Sequence, residues 1–385
     1  MATSKTPKSI LVSAGEASGD YYAGQLVAKL RVRWPDCDFF GCAGPNLRSE
    51  GVRPVIRTED LAVVGLVEVL AHLPRIYRRF LTVVDAAKAT RPDLAILTDS
   101  PDFNFRLAAR MKALGVPVVY LVAPQVWAWR QGRVKTMRRI IDRLLCIFPF
   151  EEAFFLKHGI PTTFIGHPLA ARVRPSLTRE EFFAKHNLPL DRPLIAVLPG
   201  SRSGEARRHV PELIRAAGIL SRDRALSFVL PCAATLGTKF FDAMLEGSPI
   251  RPIPGEAWDA MAHADVALAA SGTVTMEAAI LGTPMVTFYK VAPVSWALGK
   301  VLVKVPFFSM VNLIAERKVA PELMQDEMTG ERIAAEAGLL LDGGPARAKM
   351  KEELARVVQL LRSGPGSGED PIDRAATEVF RLLEV

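Results

Sequence analysis

The chain has four cysteines in 385 residues (Cys37, Cys42, Cys146 and Cys232), and no two of them form a C-x-x-C pair. Its six histidines form no H-E-x-x-H. Neither a zinc site nor a disulfide framework is signalled, which suits a reducing cytosol. Long apolar runs are also lacking. The longest uncharged stretch, Ala113–Trp129, is shorter than the ~20 residues a membrane span requires, and Pro117 and Pro124 interrupt it. A buried strand followed by a loop is expected there. Lys5 and Lys8 precede an apolar run too short for a signal peptide, which soon meets Glu16, so a soluble or peripheral protein is expected. No segment supplies the lysine of a phosphate-binding G-x-x-x-x-G-K-[ST] loop. After the first apolar run, Gly15 and Gly19 stand around a glutamate instead of forming G-x-G-x-x-G. These absences count against a P-loop ATPase and a nicotinamide dehydrogenase. There is no internal repeat.

What is present describes a globular chain long enough for two domains. The hydrophobic fraction is 49% and the charged fraction 23%. The net charge of +8 favours an anionic partner: a nucleotide sugar, an acidic membrane surface or nucleic acid. A nucleic-acid binder would cluster arginines with aromatics in a recognisable module, and none is found, so nucleic acid is not expected.

Short apolar runs alternate with amphipathic stretches. Strands are expected at Ser9–Ser13, Asp38–Cys42, Leu94–Thr98, Val116–Val122, Leu144–Phe148 and Thr163–Ile165. Helices are expected at Tyr21–Arg33, Leu66–Ala89, Asn104–Leu114 and Arg133–Ile141. After a Pro- and Arg-containing stretch to Pro175 the alternation restarts, with strands at Leu194–Leu198, Ser227–Pro231, Val266–Ala269 and Met285–Phe288. Helices are expected between them at Pro211–Leu220, Leu236–Glu246 and Thr273–Leu281. This is the pattern of α/β domains built on doubly wound parallel sheets. The division expected is a first domain over 1–166, a second over 167–362, and a flexible Ser363–Gly368 linker with an amphipathic helix over 363–385. Ile372, Ala375, Ala376, Val379, Phe380, Leu382 and Leu383 form that helix's apolar face, which needs a docking surface on the molecule or on a second subunit, a homodimer being one option.

Three glycine-bearing loops follow apolar strands and precede helices: Ser13–Asp20, Pro199–Glu205 and Ser271–Thr273. Open parallel sheets bind ligands at the carboxyl ends of their strands, where such loops sit. The unpaired N–H groups of a helix start make an anion site. Gly272 would let a phosphate approach the backbone, and the hydroxyls of Ser271 and Thr273 could donate to its oxygens. Glu277, one turn on, suits the two hydroxyls of a ribose. The plainer reading is a capped helix with a surface glutamate.

As an ordered set, Ser13–Asp20, Asp99–Asn104, Pro124–Arg130, Leu198–Arg202, Ser271–Thr273 with Glu277, Asn312 and Pro321–Gln325 resemble the lipid-A-disaccharide synthase family. The resemblance spans most of the chain. It implies the GT-B fold, two facing Rossmann-like domains, with a C-terminal helix added here. It also implies an inverting transfer of 2,3-diacylglucosamine from UDP-2,3-diacylglucosamine to the 6-hydroxyl of 2,3-diacylglucosamine 1-phosphate (lipid X), without metal or other cofactor, at the cytoplasmic face of the Gram-negative inner membrane. The nearest rivals are other GT-B enzymes using UDP-N-acetylglucosamine, the lipid II-forming transferase and the 2-epimerase, which share the donor half.

Such a transfer needs a base for the acceptor hydroxyl and cationic groups for the leaving diphosphate. Asp102 by itself reads as a helix N-cap, and the resemblance makes it the first candidate base, with Asp99 and Glu16 as competitors. Arg202, with Ser201 beside it, can grip two phosphate oxygens, or it is a surface residue of a basic run. Asn312 and Gln325 are expected to hydrogen-bond sugar or uracil. Gly15, Ser18, Gln125 and Trp127 are expected on the acceptor side or in its loops, although a tryptophan in an apolar region is commonly core. His167 reads as hinge structure. Apolar residues beside basic ones, at Leu61–Leu70 with Leu73, Ile76, Phe80, Leu81 and Arg75, Arg78, Arg79, suit an interfacial segment. Trp296, Leu298, Val301, Leu302, Phe307 and Phe308 with Lys300 and Lys304 suggest a second one.

Overall fold

The computed structural model describes residues 6–61, 66–293, 296, 299, 303, 305–362 and 369–383, with the backbone alone over 66–73. The chain divides into two compact units, Met1–Pro168 with Leu361–Val385, and Leu169–Leu360. Among the described residues no helix is long and apolar enough to cross a membrane. Ala62–Gly65, Leu298, Lys300, Val301, Leu302 and Lys304 of the expected interfacial segments, and the Ser363–Gly368 linker, lie outside the described residues.

The first unit is built on seven parallel strands: β1 (Ser9–Ala14), β2 (Asp38–Ala43), β3 (Arg53–Arg57), β4 (Leu94–Thr98), β5 (Val118–Leu121), β6 (Arg143–Cys146) and β7 (Thr162–Phe164). Their order is β3-β2-β1-β4-β5-β6-β7. β1, β4 and β5 are buried along their whole length, which explains why they are nearly continuous apolar runs: helices cover both faces of the sheet. Strand order reverses between β1 and β4, which pair with Ser13 opposite Leu97 and Ala14 opposite Thr98. The carboxyl ends of these two strands form the crevice in which such sheets bind ligands.

The C-terminal helix, Pro371–Leu383, belongs to this unit and is not a separate segment. Ile372, Ala375, Ala376 and Val379 are buried. Phe380 meets Trp34 edge-on at 4.9 Å between ring centroids, and Lys29 pairs with Asp373 at 2.8 Å. The apolar face seen in the sequence is thus covered by the Ala17–Arg33 helix of the same chain.

The second unit repeats the plan with six strands: β8 (Leu194–Leu198), β9 (Ser227–Cys232), β10 (Ile250–Pro254), β11 (Val266–Ala270), β12 (Met285–Tyr289) and β13 (Glu322–Met324), in the order β10-β9-β8-β11-β12-β13. Here the order reverses between β8 and β11, paired with Leu198 opposite Ala269. Three helices start earlier than expected, the first of them at Ala17 instead of Tyr21. The helix after β8 runs Ser203–Leu220 with Pro211 inside it, so Arg202 immediately precedes its first turn. The helix after β4 runs Pro101–Ala113, its proline at the first position, where the missing N–H has no intrahelical partner to lose.

Candidate functional site

At the β1–β4 switch point the first glycine loop holds no open anion cradle. Its amides are occupied by the protein's own carboxylate: Gly15 N donates to Asp99 Oδ1 at 2.6 Å and Glu16 N to Oδ2 at 3.1 Å. The glycines make this approach possible. A Cβ on Gly19 would stand 2.7 Å from Asp99 Cγ, and one on Gly15 would stand 2.6 Å from Ser100 Cβ.

Asp99 and Ser100 both take the left-handed conformation, at φ 52° and 36°, which turns the chain back over β1. Two buried residues that sequence reasoning missed hold that turn. Asn104 Nδ2 donates to Thr98 O at 2.7 Å and Asp99 O at 3.1 Å, while its Oδ1 accepts from Ser13 Oγ. Tyr120 Oη donates to Asp99 O at 2.6 Å. The available signal was a lone hydroxyl within the apolar run of β5. Burial pushes the Asp99 carboxyl up to about 7, with the Glu16 charge adding to it against the opposing amide hydrogen bonds. A carboxylate accepts about four hydrogen bonds. Asp99 can therefore take a proton near neutral pH.

Asp102 differs. It lies in the first turn of the Pro101–Ala113 helix with its side chain 75% exposed, ion-paired to Arg133 and, at 3.5 Å, to Arg130. Glu16, Ser18 and Gln125 are exposed, and Trp127 is buried with its indole N–H on Glu151. His167 is buried, which pushes its imidazole down to about 4, and its backbone N–H donates to Leu361 O where the chain re-enters the first unit.

The second unit has a cavity of about 660 Å³ at its own switch point, between the loops after β8 and β11. Ser201, Arg202, Ser271, Gly272, Thr273 and Glu277 all line it. Two helix starts, of Ser203–Leu220 and Thr273–Ile280, contribute to its wall, so their partial positive charges reinforce the Arg202 guanidinium. No atom lies within 4 Å of where a Gly272 Cβ would be, so a ligand can reach the backbone there. Arg202 is 81% exposed and pairs with Glu205 at 2.9 Å. Tyr289 Oη also donates to Glu205. Beneath them His209 bridges Pro199 O (2.7 Å) and Lys290 N (2.9 Å), tying the β8 loop to the end of β12. Burial raises the Glu277 carboxyl above its ordinary value, and a Trp258 hydrogen bond opposes the rise.

Three expectations for this unit are corrected. The Ser271 hydroxyl donates to Phe308 O at 2.8 Å, so its hydrogen is engaged within the protein. Asn312 is wholly buried and away from the cavity lining. Its amide donates to Ala320 O and Glu322 Oε1, and its carbonyl accepts from Val319 and Ala320 N. Gln325 is likewise outside the lining and clasps the backbone of Val291 through both ends of its amide. Both satisfy buried backbone groups that strand pairing leaves over.

Residues 10–368 match the lipid-A-disaccharide synthetase family. The lipid-A-disaccharide synthase of Solibacter usitatus is 60% identical over 97% of each chain, and that of Myxococcus xanthus 44% identical over 98% of each. Among solved structures, Acinetobacter baumannii MurG is similar with TM-score 0.58 at 15% identity, over 98% of this chain and 99% of that one. The Neisseria meningitidis UDP-GlcNAc 2-epimerase bound to UDP-GlcNAc is similar with TM-score 0.58 at 12% identity, over 97% and 99%. Those structural likenesses establish the GT-B fold, and the sequence relatives establish the lineage. The chain belongs to the lipid-A-disaccharide synthetase family and is a glycosyltransferase.

Proposed function

We propose that the chain transfers 2,3-diacylglucosamine from UDP-2,3-diacylglucosamine to the 6-hydroxyl of 2,3-diacylglucosamine 1-phosphate, with Asp99 as the general base. The acceptor oxygen attacks the anomeric carbon and its proton passes to the Asp99 carboxylate. The bond from that carbon to the diphosphate breaks, UDP leaves, and the configuration inverts. The diphosphate's charge is met by the helix starts at Ser203 and Thr273 and by Arg202, and the ribose by Glu277. The observation that carries this reading is the half-buried Asp99 carboxyl at the β1–β4 switch point, held by the Gly15 and Glu16 amides and pushed up to about 7. Asp102 serves instead as the counter-ion of Arg130 and Arg133.

The test of the donor site compares UDP with uridine by calorimetry. Arg202→Ala should weaken UDP by about tenfold or more, the scale of a lost charge-assisted hydrogen-bond pair, and leave uridine almost unchanged. Equal losses for both ligands would mean that the cavity as a whole was disturbed.

The lipid substrates call for a peripheral position at the cytoplasmic face of the inner membrane. The Leu66–Thr90 helix supports this, since Tyr77 and Leu81 are exposed beside Arg75 and Arg78. Each Lys or Arg near an anionic leaflet contributes ~1 kcal/mol. In a flotation assay the protein should rise with anionic vesicles, less so in high salt. A Tyr77→Ser/Leu81→Ser/Arg78→Ser variant should stay in the soluble fraction with its fold intact. Flotation of that variant equal to the wild type would place the contact elsewhere.

A further inference from the structure

The loop that follows β5 is strained. Val122 has φ 64° and Arg130 has φ 63°, and a β-branched residue such as Val122 seldom adopts the left-handed region. Such conformations persist only where the surroundings over-determine them. Several contacts hold this one. Ala123 N donates to Leu145 O at 3.1 Å, and Gln131 Nε2 donates to Trp127 O at 2.9 Å. The Trp127 ring is buried and meets Phe150 edge-on at 4.9 Å between centroids. Its Nε1–H donates at 2.9 Å to Glu151 Oε1.

Glu151 is wholly buried, and none of the chemistry above uses it. Its second oxygen accepts from Phe148 N at 3.2 Å. Burial pushes its carboxyl up to about 8. Burying a carboxyl group is unfavourable unless its hydrogen bonds are made, and here one of them goes to the loop. At the loop's far end Arg130 and Arg133 meet Asp102, three residues beyond Asp99. Tyr120, whose hydroxyl holds the Asp99 carbonyl, senses the charges of Asp99, Glu16, Arg133 and Asp102 together.

We propose that Glu151 is a positioning residue for acceptor binding: through the Trp127 indole it fixes the 122–133 loop, which presents Arg130 and Arg133 to Asp102, three residues beyond Asp99. Glu151 itself touches no substrate. The proposal rests on the assignment of Asp99 to the acceptor side.

A double-mutant cycle with Glu151→Met, which keeps the length of the side chain and removes its acceptor oxygens, and Trp127→Phe tests it in the purified full chain. Each single change should raise the acceptor KM by about tenfold, the effect of one buried hydrogen bond left unmade. The KM for UDP-2,3-diacylglucosamine should stay within about twofold, since its site is on other elements. The double variant should be no worse than the worse single, because both changes break one link. Multiplying effects, an unchanged acceptor KM, or an equal rise in both KM values would overturn the proposal. Gln131→Ala removes the other hold on Trp127 from the exposed surface, so it should leave the melting temperature unchanged. It should raise the acceptor KM by about threefold, a fraction of a hydrogen bond's net worth, and an unchanged value would contradict the bracing of this loop. Asp99→Asn in the same assay reports on the base through kcat, so a failure of that assignment is told apart from a failure of the brace, which is read in KM.

Discussion

Asp99→Asn is expected to lower turnover by about 10²–10⁴-fold, the usual contribution of a positioned general base. UDP affinity should remain nearly intact, because the donor cavity is lined entirely by residues from Leu198 to Tyr289. Asparagine keeps the shape of the side chain but cannot take a proton. Asp102→Asn provides the contrast. It removes an exposed ion-pair partner of Arg130 and Arg133, and exposed pairs are worth at most about 1 kcal/mol. Its effect on turnover should therefore stay within a few-fold. Single-turnover kinetics of the two variants separates them. The reverse order, with Asp102→Asn far the more damaging, would restore Asp102 as the base.

The second large effect is expected from crowding the space that Asp99 occupies beside Gly19. Gly19→Ala would put a methyl group 2.7 Å from Asp99 Cγ and still closer to Oδ2. The carboxyl is on a short side chain pinned by Gly15 N and Glu16 N, so relieving the clash means unseating it. Turnover should fall by about 10²-fold or more, since misplacing a reacting group by ~1 Å costs that much. Folding should suffer less than turnover, losing about 1–3 kcal/mol, because the added methyl overpacks a buried position and costs Asp99 its bonds to Gly15 N and Glu16 N. Gly19 is in the Ala17–Arg33 helix, where alanine is favoured over glycine by ~1 kcal/mol, offsetting part of that loss. A variant with an unchanged melting temperature and near-wild-type turnover would show that the carboxyl has freedom the structure does not indicate.

Much of the architecture was legible because parallel strands buried on both faces are plain apolar runs. β1, β4, β8 and β11, which set the two switch points, were all expected within a residue of their observed ends. The strands that escaped notice are edge strands. β3 (Arg-Pro-Val-Ile-Arg) and β10 (Ile-Arg-Pro-Ile-Pro) carry prolines and arginines that an edge tolerates, and β13 is only three residues long.

The two loops that line the cavity of the second unit were also readable, since a helix start after a glycine turn has a fixed electrostatic meaning. The acceptor side was harder. Placing the helix start at Asn104 left Asp102 in a loop, whereas the helix begins at Pro101 and Asp99 occupies the turn. Gly15 and Gly19 stood out as departures from the dinucleotide pattern. That the space they leave is filled by a side chain from 84 residues further along is visible only in three dimensions. Asn312 and Gln325 were misjudged for a related reason. In sequence, an amide that satisfies buried backbone is identical to one that awaits a ligand. The last helix was recognised by its apolar face, but amphipathicity does not say which surface covers it.

The pH dependence of kcat/KM, which reports the base of the free enzyme, tests the central assignment most directly. The base must be ionised, so kcat/KM should rise about tenfold per pH unit below about pH 7 and level off above it. Stability linked to the same group runs the opposite way. Asp99 holds its proton more tightly in the folded chain than its ordinary value of 3.8 allows. Its contribution to stability is therefore complete below that value and is lost as pH rises through about 7. Activity should thus appear over the range in which this group ceases to stabilise the fold. The account predicts that rising limb in the wild type and in Asp102→Asn, and its loss in the residual activity of Asp99→Asn. A wild-type kcat/KM that is flat from pH 5 to 8, or a limb that survives in Asp99→Asn, would contradict it.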